Sequence, residues 1–382
     1  MCNRVTHRRL FDIRRDDVDL ADLGGYGGER RDARTVNPVV VGEKQTHAIC
    51  DSPCGNSSGN KRTNHRLTFV PRHNVHIALI HNRNAGAGVY STDDLVGFFR
   101  DLGDEVHAFE DDDADVARAM DQGPDVLVVA GGVGTVARIA IALCDSDVPM
   151  FIAPTGTSNN IARALGVDGT IPTLVARFAH AQLSRLDIGR IQILSREESF
   201  VEAVGVGLIG AMLDHAAKPR VRLTGWISGM MSRARVHQDG AARRVARLVR
   251  REPVRPLHIL ADGDDISGEF VGVEITNIAA IGPRIVLAPA ADPGDGWLDL
   301  VLVRESDRAA FADYVESGDD RAGRPPALHR RVRRVEVTWP GPASHVDDEL
   351  WPRNEPDEHR TAIVSLRGSI DVLKPAPAGA SR

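Results

Sequence analysis

The stretch DVLVVAGGVGTVARIAIALC, Asp125 to Cys144, decides the fold. It opens with a short valine-rich apolar run, which predicts a buried strand. The segment GGVGT at 131–135 then predicts a turn, and the apolar residues after it predict a helix. Such a turn offers backbone N–H groups to a phosphate at the positive end of the helix. Val133 stands in the middle of this turn, where a carboxylate would be the more useful side chain.

The same alternation of strands and helices surrounds this stretch. Ser91 and Gly103 provide a start and a stop for one of the predicted helices. Strands that alternate with helices of about ten residues predict a parallel sheet covered by helices. The predicted strands are HIALIHN, EVHAFE and VPMFIA, and the predicted helices are STDDLVGFFRDLG, DADVARAMDQG and a segment ending at ALG.

After about residue 196 the pattern changes to short strands separated by Gly, Pro and Asp. One helical stretch, about 229–251, interrupts them. Many short strands with few helices predict a sandwich or a barrel. The predicted strands are FVEAVGVG, RPLHILADG, EFVGVEITN, RIVLAP, WLDLVLV, RVEVTW, AIVSLRG and IDVL.

The predicted fold class is therefore α/β plus β, a Rossmann-like parallel-sheet domain followed by a mainly antiparallel β-sandwich domain. We expect a disordered extension over 1–72, because this part has no sustained periodicity and contains the polar tract CDSPCGNSSGNKRTN. The nucleotide-binding domain is expected over 73–195. The β-rich domain is expected over 196–376, with its last strands returning to the first domain.

The composition restricts the classes of partner. The net charge is −6, and the excess of positive charge lies in the first 72 residues, which argues against nucleic acid as a partner. Four cysteines are too few for a disulfide framework. Glycine and arginine interrupt the longest apolar run, so no transmembrane segment is predicted. We expect a cytoplasmic protein, and the sequence leaves a homodimer open.

The glycine turn at 131–135 does not identify a ligand by itself. A Walker A loop requires Lys followed by Ser or Thr after its last glycine, and GGVGTV has neither. The run Gly132-x-Gly134-x-x-Ala137 matches the dinucleotide fingerprint. That interpretation, a dinucleotide-dependent oxidoreductase, also requires an acidic residue about 20 positions later, where IAPTGTS has none.

Three turns taken together are more specific. NRNAGAG at 82–88, GGVGT at 131–135 and PTGTSNNIAR at 154–163 each follow a predicted strand, so they should meet at one edge of the sheet. In this order and spacing they resemble the diacylglycerol kinase catalytic-domain family, which includes bacterial lipid kinases and sphingosine kinases. The resemblance extends to the later segments FVEAVGVGLIG, ITNIAAIGPRIVLAPAADPGDGWLDLVLV, HVDDELWP and SLRGSIDVLKP. The related NAD kinases fit less well, because no Asn-Glu motif follows the third turn.

The resemblance implies transfer of the γ-phosphoryl group of ATP to a lipid hydroxyl, such as that of diacylglycerol, with Mg²⁺ as cofactor. It implies that Asp347 orients the acceptor hydroxyl, with Glu349 on the same face of an extended strand. The lipid would be met at a membrane surface, by peripheral contact with the inner face. The implied nucleotide-binding residues are Asn82, Gly86, Gly131, Gly132, Gly134, Thr135, Thr157 and Asn160.

The chain departs from the family pattern at three positions. Arg83 replaces a proline in the first turn, and Asp348 replaces the glycine of Asp-Gly-Glu. If position 348 needs a positive φ, Asp is among the less costly non-glycine residues. Val133 replaces the loop aspartate, and a β-branched residue fits poorly if that turn needs a positive φ. Two readings follow, a slow enzyme that relies on Asp347 or a catalytically inactive member that binds nucleotide or lipid.

Three further features have two interpretations each. The arginine-rich helix near 229–253 could lie on anionic lipid or form a solvated face packed on the β domain. Asp292, Asp295 and Asp299 could hold a structural Mg²⁺, as the resemblance implies, or stabilise a turn. The fourteen histidines show no local spacing such as His-x3-His and are interpreted as surface or core residues.

Overall fold

The structure is a computed structural model that describes residues 74–86, 88–210, 213, 238–282, 284–318, 323–340, 344–351 and 360–376. The expectation of disorder for residues 1–72 lies outside the described residues.

A four-stranded parallel sheet forms the first part of the described chain. Its strand order is β2-β1-β3-β4, so the direction in which strands are added reverses between β1 and β3. Ligands of open α/β sheets bind at the carboxyl ends of the strands at such a reversal. The strands are β1 (His76–His81), β2 (Glu105–Glu110), β3 (Val126–Gly131) and β4 (Met150–Pro154).

Five helices accompany this sheet. The hydroxyl of Ser91 accepts the backbone N–H of Asp94, and the carboxylate of Asp94 accepts the backbone N–H of Ser91, so the predicted cap of the first helix is a capping box. Against the sheet, Phe99, Phe151 and Phe178 pack edge to face with ring centroids 5.1 to 5.8 Å apart. The helices are α1 (Thr92–Arg100), α2 (Asp113–Asp121), α3 (Val133–Ala142), α4 (Asn160–Ala164) and α5 (Ile171–Val175).

The second part is a mainly antiparallel arrangement of strands with its own apolar core around the buried Trp339. The antiparallel pairing of β7 with β16 places Gly205 opposite His345, which brings the hairpin that follows β16 beside β7. The strands are β5 (Gln182–Ile193), β6 (Arg196–Phe200), β7 (Ala203–Val206), β8 (Arg255–Ala261), β9 (Asp264–Asp265), β10 (Gly268–Thr276), β11 (Ala280–Ile281), β12 (Ile285–Val286), β13 (Leu298–Arg304), β14 (Leu328–Val332), β15 (Arg334–Trp339), β16 (Ser344–Val346), β17 (Glu349–Trp351) and β18 (Arg360–Lys374).

The predicted fold class is confirmed, and some elements differ from the sequence-based expectation. The predicted strands AIVSLRG and IDVL are one strand, β18, which continues through Gly368 with a shift of register. The helix near 229–251 is described as α6 (Gln238–Val249). A second helix in this part, α7 (Arg308–Ser317), was not predicted.

The last strand joins the two parts. β18 pairs with β15 and β5 in antiparallel orientation, and Val372 of β18 pairs with Met150 of β4 in parallel orientation. The parallel and antiparallel strands thus form a continuous hydrogen-bonded network.

Candidate active site

The three glycine- and amide-rich turns lie side by side at the carboxyl edge of the parallel sheet. The backbone N–H of Asn82 donates to the carbonyl oxygen of Ala130 at 2.9 Å, which joins the first turn to the second. The backbone N–H of Thr155 donates to the carbonyl oxygen of Gly131 at 3.1 Å, which joins the third turn to the second. The order of the strands in the sheet therefore places these segments where the sequence predicted.

Two glycines are required by the contacts between the turns. Gly86 has a φ of +66°, and a Cβ added there would overlap the carbonyl oxygen of Thr155. A Cβ added to Gly156 would overlap the Cα atom of Gly132. Gly86 was predicted to bind nucleotide, and the structure gives it a packing role between the first and third turns.

Helix α3 begins within the second turn, at Val133, with Gly132 as its N-cap and no side-chain cap. Val133 is the first helical residue, half-buried and packed against the core, and its φ is not positive. The strain that a positive φ would impose on a β-branched residue does not arise. Valine therefore changes the chemistry of the turn by lacking a carboxylate, while the N–H groups of the first helical turn remain suited to an anion.

Thr135 connects the second turn to the first turn and to the end of β2. The side-chain amide of Asn82 donates to Thr135 Oγ1 at 2.7 Å, and Thr135 Oγ1 donates to Asp111 Oδ2 at 3.3 Å. Asp111 was not among the predicted residues. Its position directly after β2 was the available sequence signal, because the carboxyl ends of parallel strands meet at one edge.

The third turn carries two asparagines with different roles. Asn159 has a φ of 49°, and its side-chain amide donates to the carbonyl oxygen of Gly156 at 2.7 Å. Asn160 is 3% exposed, and its amide donates to the carbonyl oxygen of Gly282 at 3.0 Å, which ties the turn to the β-rich part. Thr157 is exposed at this edge.

Asp347 occupies the turn between β16 and β17, and its carboxylate lies against the backbone before β7. Its Oδ1 accepts the N–H groups of Glu202 at 2.8 Å and Ala203 at 3.1 Å, and its Oδ2 accepts the N–H of Val201 at 3.1 Å. A carboxylate offers about four acceptor positions, so these three donors leave one position on Oδ2 unused.

The protonation of Asp347 reflects two opposing effects. The surrounding protein desolvates the carboxyl and raises the pKa of Asp347 to about 6, while the three N–H donors act to lower it. The residue as a whole is half-buried. A carboxylate with this pKa is mostly ionised at neutral pH and can accept a proton, which is what a general base requires.

The positive φ that was considered for position 348 falls on Asp347, at 49°. The expectation of one shared face for Asp347 and Glu349 is wrong. Asp347 and Asp348 form the two-residue turn between paired Val346 and Glu349, so the extended geometry that would put Asp347 and Glu349 on one face is absent. Glu349 is exposed at the start of β17, and its catalytic role stays a prediction.

Glu202 is a buried carboxyl group that sequence reasoning missed. It is 4% exposed, and its carboxyl interacts with the side chain of Asn160 of the third turn, which acts to lower its pKa. Burial, and then the neighbouring Asp347 carboxylate, raise the pKa of Glu202 well above the usual range of a carboxyl group. Glu202 Oε1 and Asn160 Oδ1 have no hydrogen-bond partner in the structure. Glu202 thus connects the turn edge of the parallel sheet to Asp347.

A buried ion pair supports the backbone of Asp347. His345 Nε2 lies 2.7 Å from Glu274 Oε2, and both side chains are fully buried. His345 Nδ1 lies 2.9 Å from the carbonyl oxygen of Asp347. Burial opposes the charged imidazole, but the Glu274 carboxylate, together with the carbonyl and carboxylate of Asp347, outweighs it and raises the pKa of His345. This contact helps to fix the backbone conformation of the β16–β17 hairpin.

The three aspartates predicted as a metal site do not form a compact ligand group. Within the described residues, the one cluster of three or more carboxylate, imidazole or thiol groups close enough to share an ion lies elsewhere. Asp292 accepts the N–H of Gly294 at 3.1 Å, and Asp295 forms an ion pair with Arg331 at 2.5 Å. Burial raises the pKa of Asp299. These contacts fit the turn interpretation, and the metal stays a prediction.

Helix α6 buries its apolar face in the protein. Val245, Ala246 and Val249 are buried, and Arg250 reaches Asp313 and Glu316 of α7 at 2.7 Å each. The exposed arginines of this helix are Arg243, Arg244 and Arg247. Contact with anionic lipid would therefore be electrostatic, through these side chains. Met230, Met231, Arg233 and Arg235 lie outside the described residues.

Comparison with known proteins shows what the residues around this site are similar to. Residues 76–191 match the family model of the diacylglycerol kinase catalytic domain. Two relatives are a diacylglycerol kinase of Mycobacterium tuberculosis, 28% identical over 50% of this chain and 59% of its own length, and a "Probable lipid kinase YegS-like" of Stenotrophomonas maltophilia, 25% identical over 74% of this chain and 91% of its own length. The alignment thus spans little more than half the length of the mycobacterial relative.

A solved structure of a diacylglycerol kinase from Bacillus anthracis has the same fold. It is 19% identical, with a TM-score of 0.53, over 79% of this chain and 97% of its own. The resemblance read from the three turns is thereby confirmed, and the relatives are lipid kinases by name. Among the described helices, none is long and apolar enough to cross a membrane.

Proposed function

We propose that this chain, whose residues 76–191 match the diacylglycerol kinase catalytic domain, is an ATP-dependent lipid kinase that phosphorylates a lipid hydroxyl such as that of diacylglycerol. The observation that carries the proposal is the link between the two halves of the site. The side chain of Asn160 in the third turn interacts with the Glu202 carboxyl, and the backbone N–H of Glu202 donates to Asp347 at 2.8 Å. A phosphate-binding edge and a general base are thus held in one rigid frame.

The first turn of α3 and the glycines before it would receive the phosphates of ATP. Backbone N–H groups at a helix N-terminus attract anions without a side-chain cation. Gly134 is exposed, so a phosphate can approach the backbone at this position. Asn82 and Thr135 would hold the turn in shape through their mutual hydrogen bond of 2.7 Å.

The residues at this edge fit Mg²⁺, which prefers oxygen ligands. Thr155 Oγ1, Asn160 Oδ1 and Glu202 Oε1 are buried oxygen atoms without a hydrogen-bond partner, and the Asp111 carboxylate lies at the same edge. Bound with ATP, Mg²⁺ would neutralise negative charge on the phosphates. We propose that these oxygens hold the Mg²⁺ ion. Although the pKa of Glu202 is raised in its absence, the bound cation would keep this carboxyl ionised.

Asp347 would serve as the base. The free acceptor position on Oδ2 would take the proton of the lipid hydroxyl as its oxygen bonds to the γ-phosphorus. The bond between that phosphorus and the bridging oxygen breaks, and the leaving ADP keeps the electron pair. The three N–H donors would hold Asp347 in one orientation throughout.

A second candidate is a protein that binds nucleotide or lipid without turnover. Val133 favours it, because the family's aspartate at this position is replaced by a half-buried side chain without polar atoms. Loss of one charge contact in phosphoryl transfer can cost several kcal/mol, and about 1.4 kcal/mol corresponds to a tenfold rate change.

Transfer of labelled phosphate from ATP to a panel of diacylglycerol, phosphatidylglycerol and sphingosine separates the two candidates. The full chain is compared with Val133→Asp and Asp347→Asn. Activity in the wild type that is lost in Asp347→Asn supports the lipid kinase. Activity in Val133→Asp alone identifies a binding protein on a kinase scaffold. If the wild type and both variants are folded but none transfers phosphate, phosphorylation of these lipids is rejected.

We further propose that the lipid is met at an anionic membrane surface, as expected of a cytoplasmic protein with peripheral membrane contact. The exposed Arg244 and Arg247 of α6 supply the positive charge. Flotation with vesicles that contain anionic lipid should weaken when both are changed to Glu. Equal flotation of wild type and variant would reject this part of the proposal. Formation of a homodimer stays a prediction.

A further inference from the structure

Three potential metal ligands lie together at the amino end of the parallel sheet. His76 begins β1, and Glu105 and His107 lie on the edge strand β2. His76 and Glu105 are register partners, so their side chains leave the same face of the sheet. Glu105 and His107 are two residues apart and share that face as well. The backbone pairing therefore fixes all three side chains in one cluster.

The distances in this cluster suit a shared ion. One ligand atom from each of the three residues lies within 4.8 Å of the others. His107 Nε2 and Glu105 Oε1 are 3.0 Å apart, and the imidazoles of His76 and His107 meet edge to face with centroids 5.5 Å apart. Around a tetrahedral Zn²⁺ with bonds of about 2.0–2.2 Å, ligand atoms stand roughly 3.3–3.5 Å apart. Small rotations of the side chains would reach this geometry.

Two more carboxylates make the surroundings negative. Asp125 Oδ2 accepts the backbone N–H of His76 at 2.9 Å, and Asp104 Oδ1 accepts the backbone N–H of Val75 at 3.3 Å. These groups flank the cluster without occupying its ligand positions. Their charge favours a cation at this place.

We propose that His76, Glu105 and His107 form a divalent transition-metal site, for which Zn²⁺ is the fitting ion. Two imidazoles and a carboxylate suit Zn²⁺, whereas Mg²⁺ prefers oxygen ligands alone. Glu105 and His107 are exposed, so water can complete the coordination. The ion would replace the hydrogen bond between His107 and Glu105 and tie the edge strand β2 to β1. This site lies at the opposite end of the strands from the turn edge and goes beyond the proposed kinase function.

Local sequence spacing did not indicate this cluster. His76 and His107 belong to different strands, and they become neighbours through the parallel pairing of β1 with β2. The interpretation of the histidines as surface or core residues holds for His345, which is buried, but it overlooked this pair.

The test is calorimetric titration of the chelator-treated full chain with Zn²⁺ in millimolar Mg²⁺. We expect a binding event in the wild type whose affinity falls about tenfold or more in His107→Gln and in Glu105→Gln. His258→Gln, an exposed histidine on β8, is the matched control and should bind as the wild type does. Any Zn²⁺ bound by residues 1–73 appears equally in all four proteins.

A second readout is the thermal unfolding temperature. Zn²⁺ should raise it in the wild type and in His258→Gln and raise it less in the two ligand variants, because an ion bound to the folded state stabilises that state in proportion to its affinity. Far-UV circular dichroism of the metal-free proteins checks that the variants fold. Identical isotherms for wild type and both ligand variants would overturn the proposal. Neither result bears on lipid phosphorylation, which is assayed separately in Mg²⁺ without Zn²⁺.

Discussion

Asp347 combines a strained backbone with a restrained side chain. Its φ of 49° is tolerated better by Asp than by most residues, and its carboxylate is held by three N–H donors. The turn therefore presents the carboxyl in a single orientation. Because its surroundings raise the pKa of Asp347 to about 6, the charge of the proposed base changes within the physiological range.

The pH dependence of activity should follow this group. If Asp347 is the base, kcat/KM should rise with pH through about 6 and level off above it, because the ionised form is the active one. Asp347→Asn should lower kcat by roughly 10²–10⁴-fold and remove the rise. Initial rates of lipid phosphorylation between pH 5 and 8 measure both effects. If kcat/KM of Asp347→Asn still falls at low pH as it does in the wild type, the pKa of about 6 belongs to another group.

Glu202 should show a conflict between stability and activity. Its raised pKa means that the folded state holds a proton more tightly than the unfolded state, so its contribution to stability is complete below about 4.5 and falls as pH rises. Glu202→Gln keeps the shape without the charge. We expect the variant to gain about 1–3 kcal/mol at pH 8, less at pH 5, and to lose activity.

Urea unfolding at the two pH values measures this gain. Glu269→Gln, an exposed carboxyl on β10, is the control and should stay within about 0.5 kcal/mol of the wild type at both. If Glu202→Gln is destabilised more at pH 8 than at pH 5, the assigned upward shift of the pKa of Glu202 is contradicted.

At the scale of elements, the contact between turns depends on glycine at some positions and not at others. Gly86→Ala should destabilise the protein by about 1–3 kcal/mol, because the φ of +66° is unfavourable for alanine and the added Cβ meets the carbonyl oxygen of Thr155. Gly134→Ala should be neutral or stabilising by up to about 1 kcal/mol, because no atom lies within 4 Å of the added Cβ and the residue is helical. Thermal unfolding of both variants tests the contrast, and equal losses would contradict it.

Elements with a clear period were predictable from sequence, and those without one were not. The alternation around Asp125 to Cys144 gave the parallel strands and their helices close to their bounds. Gly368 appeared to end a strand, but β18 continues through it with a shift of register. Helix α7 was missed because only the short 3-10 turn Glu305–Asp307 separates it from β13 and its N-cap Asp307 makes no side-chain cap.

The candidate site was predictable where backbone turns define it. The three turns follow strands, so their meeting at one edge follows from the parallel sheet alone. Glu202 looked like one polar residue in an otherwise apolar strand. Its significance depends on the contacts to Asn160 and Asp347, which come from distant parts of the chain.

At the scale of the whole molecule, β18 should make unfolding a single event. It contributes Leu373 and Val372 to the core of the α/β part and Val364 to the core of the antiparallel part. Trp297, Trp339 and Trp351 all lie in the antiparallel part. We therefore expect the unfolding transition seen by tryptophan fluorescence to coincide with the helical signal of circular dichroism at 222 nm.

A variant in β18 gives a more specific test of whether the two parts unfold together. Leu373→Ala removes a fully buried side chain and should cost about 2–5 kcal/mol. Because both parts share the strand, both spectroscopic midpoints should fall by the same amount. A shift of the circular dichroism midpoint alone would show that the parts unfold independently.

The distance along the chain between the glycine turn and Asp347 has a consequence for biosynthesis. The turn at 131–135 is made roughly 200 residues before Asp347, which at about 5–20 residues per second corresponds to about 10–40 s of translation. During this interval neither Asp347 nor β18 exists, and β18 supplies Val372 and Leu373 to the core of the α/β part. A chain released in this window would therefore lack both the proposed base and part of the core beneath the glycine turn.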